Sequence, residues 1–169
     1  MNLKDVKFGK PEAFNVMVEI PQGSNQKFEY DEASGEMKLN FVFENLVFPF
    51  HYGFIIGTMC GDGDPLDAIV LSSPHFSEVI KSGSMLPCQA IGMLKTIDRG
   101  EVDDKIVCIP LGDELLKQYK DIIDLAPDTL SKWTKFYLEV ARQKKKVIEI
   151  IGLRSKEEAL KVIRNSHTL

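Results

Sequence analysis

Over residues 14–20, Phe14, Val16, Val18 and Ile20 alternate with Asn15, Met17 and Glu19. A period of two predicts a strand, and Pro21-Gln22-Gly23 closes it. In that register Glu19 lies on the face opposite the core set. Lys27-Phe28-Glu29-Tyr30 alternates again and places Lys27 and Glu29 together on one face, which parity alone reads as solvated. Turn residues between Asp31 and Gly35 then predict a hairpin into Met37, Leu39, Phe41 and Phe43. Phe48-Pro49-Phe50-His51-Tyr52-Gly53-Phe54 is dense in aromatics and broken by Pro and Gly, so a tight corner packed on the strands is expected. His51 within it reads as a hydrogen-bonded packing residue rather than a base. Apolar runs at residues 68–71, 86–94 and 105–109 predict three more strands.

Helical patterns enter only afterwards. A short helix is expected over residues 113–120. A longer one opens at Pro127-Asp128, and its Leu130, Trp133, Phe136, Tyr137 and Val140 form an amphipathic stripe that reads as core. Lys144-Lys145-Lys146 closes that helix ahead of a strand at residues 147–151. A basic run is ordinarily a solvated face, but beside an anion site it would supply phosphate contacts. Ser155-Lys156-Glu157-Glu158 has capping-box spacing and opens a last helix through Ala159, Leu160, Val162 and Ile163. Strands followed by helices make the class α+β.

At 169 residues one core, hence one domain over residues 1–169, is expected. The net charge of −4 provides no footprint for nucleic acid or an anionic membrane, so any anionic substrate must be met by a local site. No apolar run approaches the roughly 20 residues that span a bilayer, and Met1-Asn2-Leu3-Lys4-Asp5 opens no signal peptide. The cytoplasm is therefore the expected location. Cys60, Cys88 and Cys108 contain no C-x-x-C pair and read as reduced thiols, Cys60 as a small packing residue.

Chemistry concentrates in Cys60-Gly61-Asp62-Gly63-Asp64-Pro65-Leu66-Asp67, where three carboxylates fall within six residues. Two carboxylates about 5 Å apart repel by roughly 3 kcal/mol at an effective dielectric near 20, so a rigid loop holding three needs solvent, a proton or a cation. Asp-Gly repeats are also ordinary turn chemistry, and a plain surface loop is the competing reading. A calcium EF-hand loop is excluded, because Asp67 falls where the turn glycine belongs and Ser73 where the bidentate Glu belongs. Pro65 favours the metal reading: it fixes one φ and pushes Asp64 to an extended backbone, which pre-aims the side chains. Oxygen-only ligation selects Mg²⁺, Mn²⁺ or Ca²⁺ over zinc or copper. A second acidic segment, Asp98-Arg99-Gly100-Glu101-Val102-Asp103-Asp104-Lys105, reads as a hairpin tip whose position allows both clusters to meet at one rim of a small barrel.

These residues resemble the family I soluble inorganic pyrophosphatases. The signature of Asp, small residue, Asp, Pro, aliphatic and Asp is met by Asp62-Gly63-Asp64-Pro65-Leu66-Asp67, and Val18-Glu19-Ile20-Pro21, Lys27-Phe28-Glu29, Tyr52-Gly53-Phe54-Ile55 and Leu94-Lys95 followed by Asp98, Asp103 and Lys105 fall in the family's order. The resemblance implies a small closed five-stranded OB-like β-barrel, with flanking helices in the C-terminal half, that hydrolyses diphosphate with Mg²⁺, Mn²⁺ or another divalent ion being the alternative. It further implies that Asp62, Asp67 and Asp103 hold a first metal and that Asp67 reaches a second. Asp98 and Asp103 would hold metals arriving with substrate, and Glu19 would bind metal largely through water. Asp64 would be the general base, Lys27, Lys105 and Tyr52 would grip phosphates, and Glu29 would orient neighbouring groups. Bacterial members are commonly homo-oligomers, often hexamers.

The chain departs from the pattern in places. Where the family has a phosphate-binding Arg after Gly35, the match is Phe41 or Asn40, with Lys38 the nearby cation; Phe48 replaces a usual Tyr, and Arg99 stands where an acidic residue often follows. The family's Tyr-Lys pair late in the long helix has no direct match, leaving Tyr137, Arg142 or the run at 144–146 as substitutes. A phosphohydrolase diverged toward another phosphoanhydride, and a non-catalytic metal- or anion-binding module, are the competing functions.

Overall fold

The computed structural model describes residues 3–168, without the Lys4 side chain; Met1, Asn2 and Leu169 lie outside the described residues, and with them part of the segment read for a signal peptide. The strands are β1 (Gly9–Lys10), β2 (Ala13–Ile20), β3 (Gln26–Asp31), β4 (Glu36–Val42), β5 (His51–Ile55), β6 (Asp67–Val70), β7 (Met85–Asp98), β8 (Glu101–Val102), β9 (Lys105–Pro110) and β10 (Ile148–Ser155). The helices are α1 (Pro74–Ser77), α2 (Thr129–Gln143) and α3 (Lys156–Ser166).

Five strands close on themselves. β2 pairs with β5, β5 with β6, β6 with β9 in parallel, β9 with β7, and the start of β7 returns to β2. Closure removes the sheet edges that would otherwise need protection. The far half of β7 runs past the barrel and pairs with β8 and β10, while β3 and β4 form a separate two-stranded hairpin. Where β5 crosses β2 the backbones nearly touch: a Cβ on Gly53 would lie 1.8 Å from the Met17 carbonyl oxygen, so no other residue fits beside Tyr52.

Alternation divides the apolar residues between two faces. Phe14, Val16, Ile55, Ala68, Val70, Ile106 and Cys108 meet Ala159 and Ile163 of α3, whereas Ile20, Ile69, Val107 and Ile109 meet Trp133, Phe136, Tyr137 and Val140 of α2. Ile20 has the parity of Phe14 and Val16 yet joins the other cluster, because the β2–β5 register slips between Val18 and Ile20. A second slip falls between Lys27 and Phe28. Bulges re-aim side chains, and both adjoin residues singled out in the sequence, Glu19 and Lys27.

Several expectations are corrected. The aromatic corner ends at Phe50, and His51 starts a strand. Residues 113–120 form no α-helix but a 3₁₀ turn at Glu114–Leu116, with another at Ile122–Asp124. The Asp113 carboxylate, which would cap a helix there, is engaged instead by the Ser73 amide at 2.6 Å. Met17 is buried despite lying opposite the core set, and α1 precedes the long helix. The capping box of α3 forms as read, with the Ser155 hydroxyl accepting from the Glu158 amide and the Glu158 carboxylate from the Ser155 amide.

Candidate active site

The acidic loop is held from below before it presents anything. The Cys60 amide donates to the Asp64 carbonyl at 2.7 Å, the Gly63 amide to the Cys60 carbonyl, and the Asp64 amide to Asp62 Oδ1 at 3.0 Å. Gly63 takes φ +88°, which the turn requires. Asp62 and Asp64 stand exposed at the rim, while Asp67 descends into β6. The Met59 amide bonds to the Ser166 carbonyl and the Thr168 amide to the Gly57 carbonyl, so the end of α3 braces the approach to the loop. Cys60 is half-buried among apolar neighbours, and burial pushes its thiol up to about 11, as a packing residue and not a reactive thiolate. His51 is fully buried: Nδ1 accepts from the Gln22 amide and Nε2 meets Ser72 and Ser77, so it serves packing as read.

The second acidic segment is a hairpin with two central residues, Arg99 at φ +49° and Gly100 at φ +85°, the conformation of a type I′ turn. β6 and β9 run in parallel with Asp67 opposite Lys105, which brings the two clusters together. Lys105 Nζ lies 2.9 Å from Asp67 Oδ2 and 3.0 Å from Asp103 Oδ2, and Tyr52 Oη donates to Asp67 Oδ2 at 2.5 Å. Burial disfavours the Lys105 charge, but the two carboxylates outweigh it and raise its pKa. Burial likewise works against charged Asp67, and Lys105 with Tyr52 overcomes it and lowers its pKa; for Asp103, burial and the nearby Asp67 prevail over Lys105 and raise it. Glu19 is pushed up to about 7, chiefly by burial. Asp98 Oδ2 receives Lys146 Nζ at 2.6 Å, and Oδ1 receives Arg99 Nε at 3.2 Å.

All ten residues picked from the sequence (Asp62, Asp64, Asp67, Asp98, Asp103, Glu19, Glu29, Lys27, Tyr52 and Lys105) line one cavity of about 680 Å³. Lys27 therefore does not lie on a solvated face: its side chain is 20% exposed and pairs with Glu29 at 2.9 Å. Parity misread it because a cavity wall and a solvated face carry the same pattern. Among the described residues no three acidic, His or Cys side chains close around one point as a ready metal cage. The donor set nonetheless fits a hard divalent cation, since it consists of carboxylate oxygens and two of them already converge on one ammonium.

The comparisons agree with this geometry. A family model for inorganic pyrophosphatase matches residues 16–169. The chain belongs to the inorganic pyrophosphatase family. It is 36% identical over 162 residues to a soluble inorganic pyrophosphatase of Oryza sativa, covering 95% of this chain and 74% of the relative. Against the inorganic pyrophosphatase of Synechocystis it is 36% identical over 151 residues, covering 88% and 86%. The solved inorganic pyrophosphatase of Thermus thermophilus superposes with a TM-score of 0.87 at 30% identity, covering 98% of this chain and 97% of that one, and the one from Neisseria gonorrhoeae with 0.86 at 31%, covering 97% and 95%.

The departures from the pyrophosphatase pattern now have positions. Lys38 pairs with Asp31, and Asn40 Nδ2 donates to Glu29 Oε2 at 3.0 Å. Phe48 packs edge-on to Phe50 and Phe136, and Arg142 is tied to Glu139. Sequence reasoning left the substitutes open, and the cavity takes in Tyr137, Lys144, Lys146 and Arg99. Their placement follows from how α2 ends. The Lys146 amide bonds to the Ala141 carbonyl and the Lys145 amide to the Arg142 carbonyl, with Lys145 at φ +53°. That is a Schellman cap, with a lysine where glycine is usual, at a cost of about 1 kcal/mol. It splits the basic run: Lys145 is exposed while Lys144 and Lys146 face the cavity. The available signal was the seven-residue spacing of Tyr137 and Lys144, two turns on one helix face.

Proposed function

We propose that this chain hydrolyses inorganic diphosphate to two phosphates with a divalent cation, Mg²⁺ first and Mn²⁺ or another divalent ion as alternatives. The observation that carries this reading is the gathering of five metal-type carboxylates, the exposed Asp64 and three phosphate-gripping side chains around one cavity. Asp62, Asp67, Asp98, Asp103 and Glu19 would hold the metals. Bound there, divalent cations would acidify a water and neutralise charge on the phosphates. Asp64 at the rim takes the proton of the attacking water, and the Asx turn, in which its amide donates to Asp62 Oδ1, fixes the backbone that presents it. Lys27, Lys105 and Tyr52 bind phosphoryl oxygens, while Glu29 positions Lys27 through their ion pair.

The reading extends to a homo-oligomer, hexameric as in bacterial members, and to the cytoplasm, with which three free cysteines are consistent. Among the described residues no helix is long and apolar enough to cross a membrane. A single domain over residues 1–169 is part of the same proposal. The test is phosphate release from diphosphate with and without Mg²⁺, beside Asp64→Asn. Release should require Mg²⁺ and fall by roughly 10²–10⁴ in the variant, the usual worth of a general base. Mg²⁺-independent release, or none from folded protein, overturns the reading; turnover preferring nucleotides would favour a diverged phosphohydrolase instead.

A further inference from the structure

We infer that Tyr137 on α2 and Lys144 at the C-cap of that helix, two turns apart on one side of it, bind a phosphoryl group of the substrate in place of the Arg on β4 and the adjacent Tyr-Lys pair that this chain lacks. The inference rests on the diphosphate reading above. Tyr137 carries the first observation. Its side chain is 4% exposed and lines the cavity beside Lys105, yet among the described residues its hydroxyl has no hydrogen-bond partner. A buried hydroxyl without an acceptor is costly, and an anion in the cavity supplies one.

Lys144 carries the second. Three ammonium groups look into this part of the cavity, and two are already answered: Lys27 by Glu29 at 2.9 Å and Lys146 by Asp98 at 2.6 Å. Among the described residues Lys144 makes no ion pair of its own; its ammonium lies 5.9 Å from the centre of the Phe41 ring. Phe41 is one of the two positions matching the absent Arg, so the charge missing from β4 is restored from the helix. The groups facing Lys144 are Lys27 and Glu29 of β3, Phe41 of β4 and Lys146 beyond the cap, and burial with the two lysines pulls its pKa down to about 8. A cation kept half-buried among cations is an anion site in waiting. The Schellman cap aims it, because a helix continued through Lys145 would not turn Lys144 and Lys146 to the same side.

The experiment is steady-state kinetics on Mg²⁺-diphosphate for Tyr137→Phe, Lys144→Met and Lys144→Arg, with Lys145→Ala as control. Lys144→Met should raise KM roughly tenfold or more, the worth of a charge-assisted hydrogen bond, and Tyr137→Phe by roughly three- to tenfold, with kcat changing less than KM. Lys144→Arg should restore KM and flatten the rise in KM expected of the wild type above about pH 8. Lys145→Ala should leave both constants unchanged. KM within twofold of wild type in both Tyr137→Phe and Lys144→Met overturns the inference. If the wild type turns over no diphosphate, the reading of function has failed, and calorimetric titration with diphosphate decides this point alone: weaker binding by Lys144→Met sustains it, and equal binding overturns it.

Discussion

Along one wall of the cavity Asp62, Asp64 and Asp67 come from six consecutive residues, and Asp103 and Lys105 from three; the remaining wall assembles Lys27 from β3, Tyr137 from α2 and Lys144 from the C-cap of that helix. The acidic wall is prepared largely by local chemistry, in which a proline, two glycines and an Asx turn shape the loop, while Tyr52 and Lys105 fix Asp67 and the end of α3 braces the approach. The basic wall depends on tertiary placement, since each cation arrives on a different element and relies on burial to aim it. A wall of the first kind tolerates little exchange, because each carboxylate has its own geometry. A wall of the second kind can pass a charge from strand to helix, as the loss near Phe41 and the gain at Lys144 illustrate.

That contrast can be broken from either side. The largest expected effect is on the acidic wall, where chelation of divalent cations should abolish phosphate release, and Asp67→Asn, which removes the negative charge that Tyr52 and Lys105 meet, should lower kcat by at least about 10²-fold with little change in KM. Next, Lys105→Met should cost about 3 kcal/mol in denaturant or thermal unfolding, because it strands Asp67 and Asp103 without their shared ammonium. Mg²⁺ should recover more stability in that variant than in the wild type; equal recovery would mean the two carboxylates do not share an ion.

A smaller effect concerns His51, at the foot of the strand that carries Tyr52. Burial pushes its pKa down to about 4 from an ordinary 6.5, so between those values the unfolded chain binds the proton and the folded chain does not. Stability should thus fall by roughly 2 kcal/mol as pH drops from about 6.5 to 4, and the slope over that window should weaken in His51→Gln. The smallest is Lys145→Gly, which should stabilise the fold by about 1 kcal/mol by relieving the left-handed residue in the cap, while turnover stays unchanged. A loss of turnover there would tie the cap itself to catalysis.

The same contrast explains what could be read from the chain alone. The barrel strands were legible because period-two alternation reports which face is buried, and the acidic loop because its chemistry is contiguous. The role of Lys27 was not legible, since alternation cannot distinguish a cavity from bulk water. Closure through β7 was not legible from pattern either: one strand of fourteen residues pairs with β2 and β9 and then with β8 and β10, and nothing local marks the change. The triple lysine was ambiguous because only the backbone sign at Lys145 decides which of the three point inward. The absent helix at residues 113–120 has a like cause: Asp113 spends its carboxylate on Ser73, 40 residues earlier.

The brace beneath the acidic loop bears on synthesis as well as on rigidity. Thr168 reaches back to Gly57 across 111 residues. At ordinary elongation rates of about 5–20 residues per second, roughly 6–22 seconds separate the emergence of the loop from that of its anchor. A nascent chain thus carries its acidic loop for many seconds before this brace can form, and bracing of the loop is a late event in its maturation.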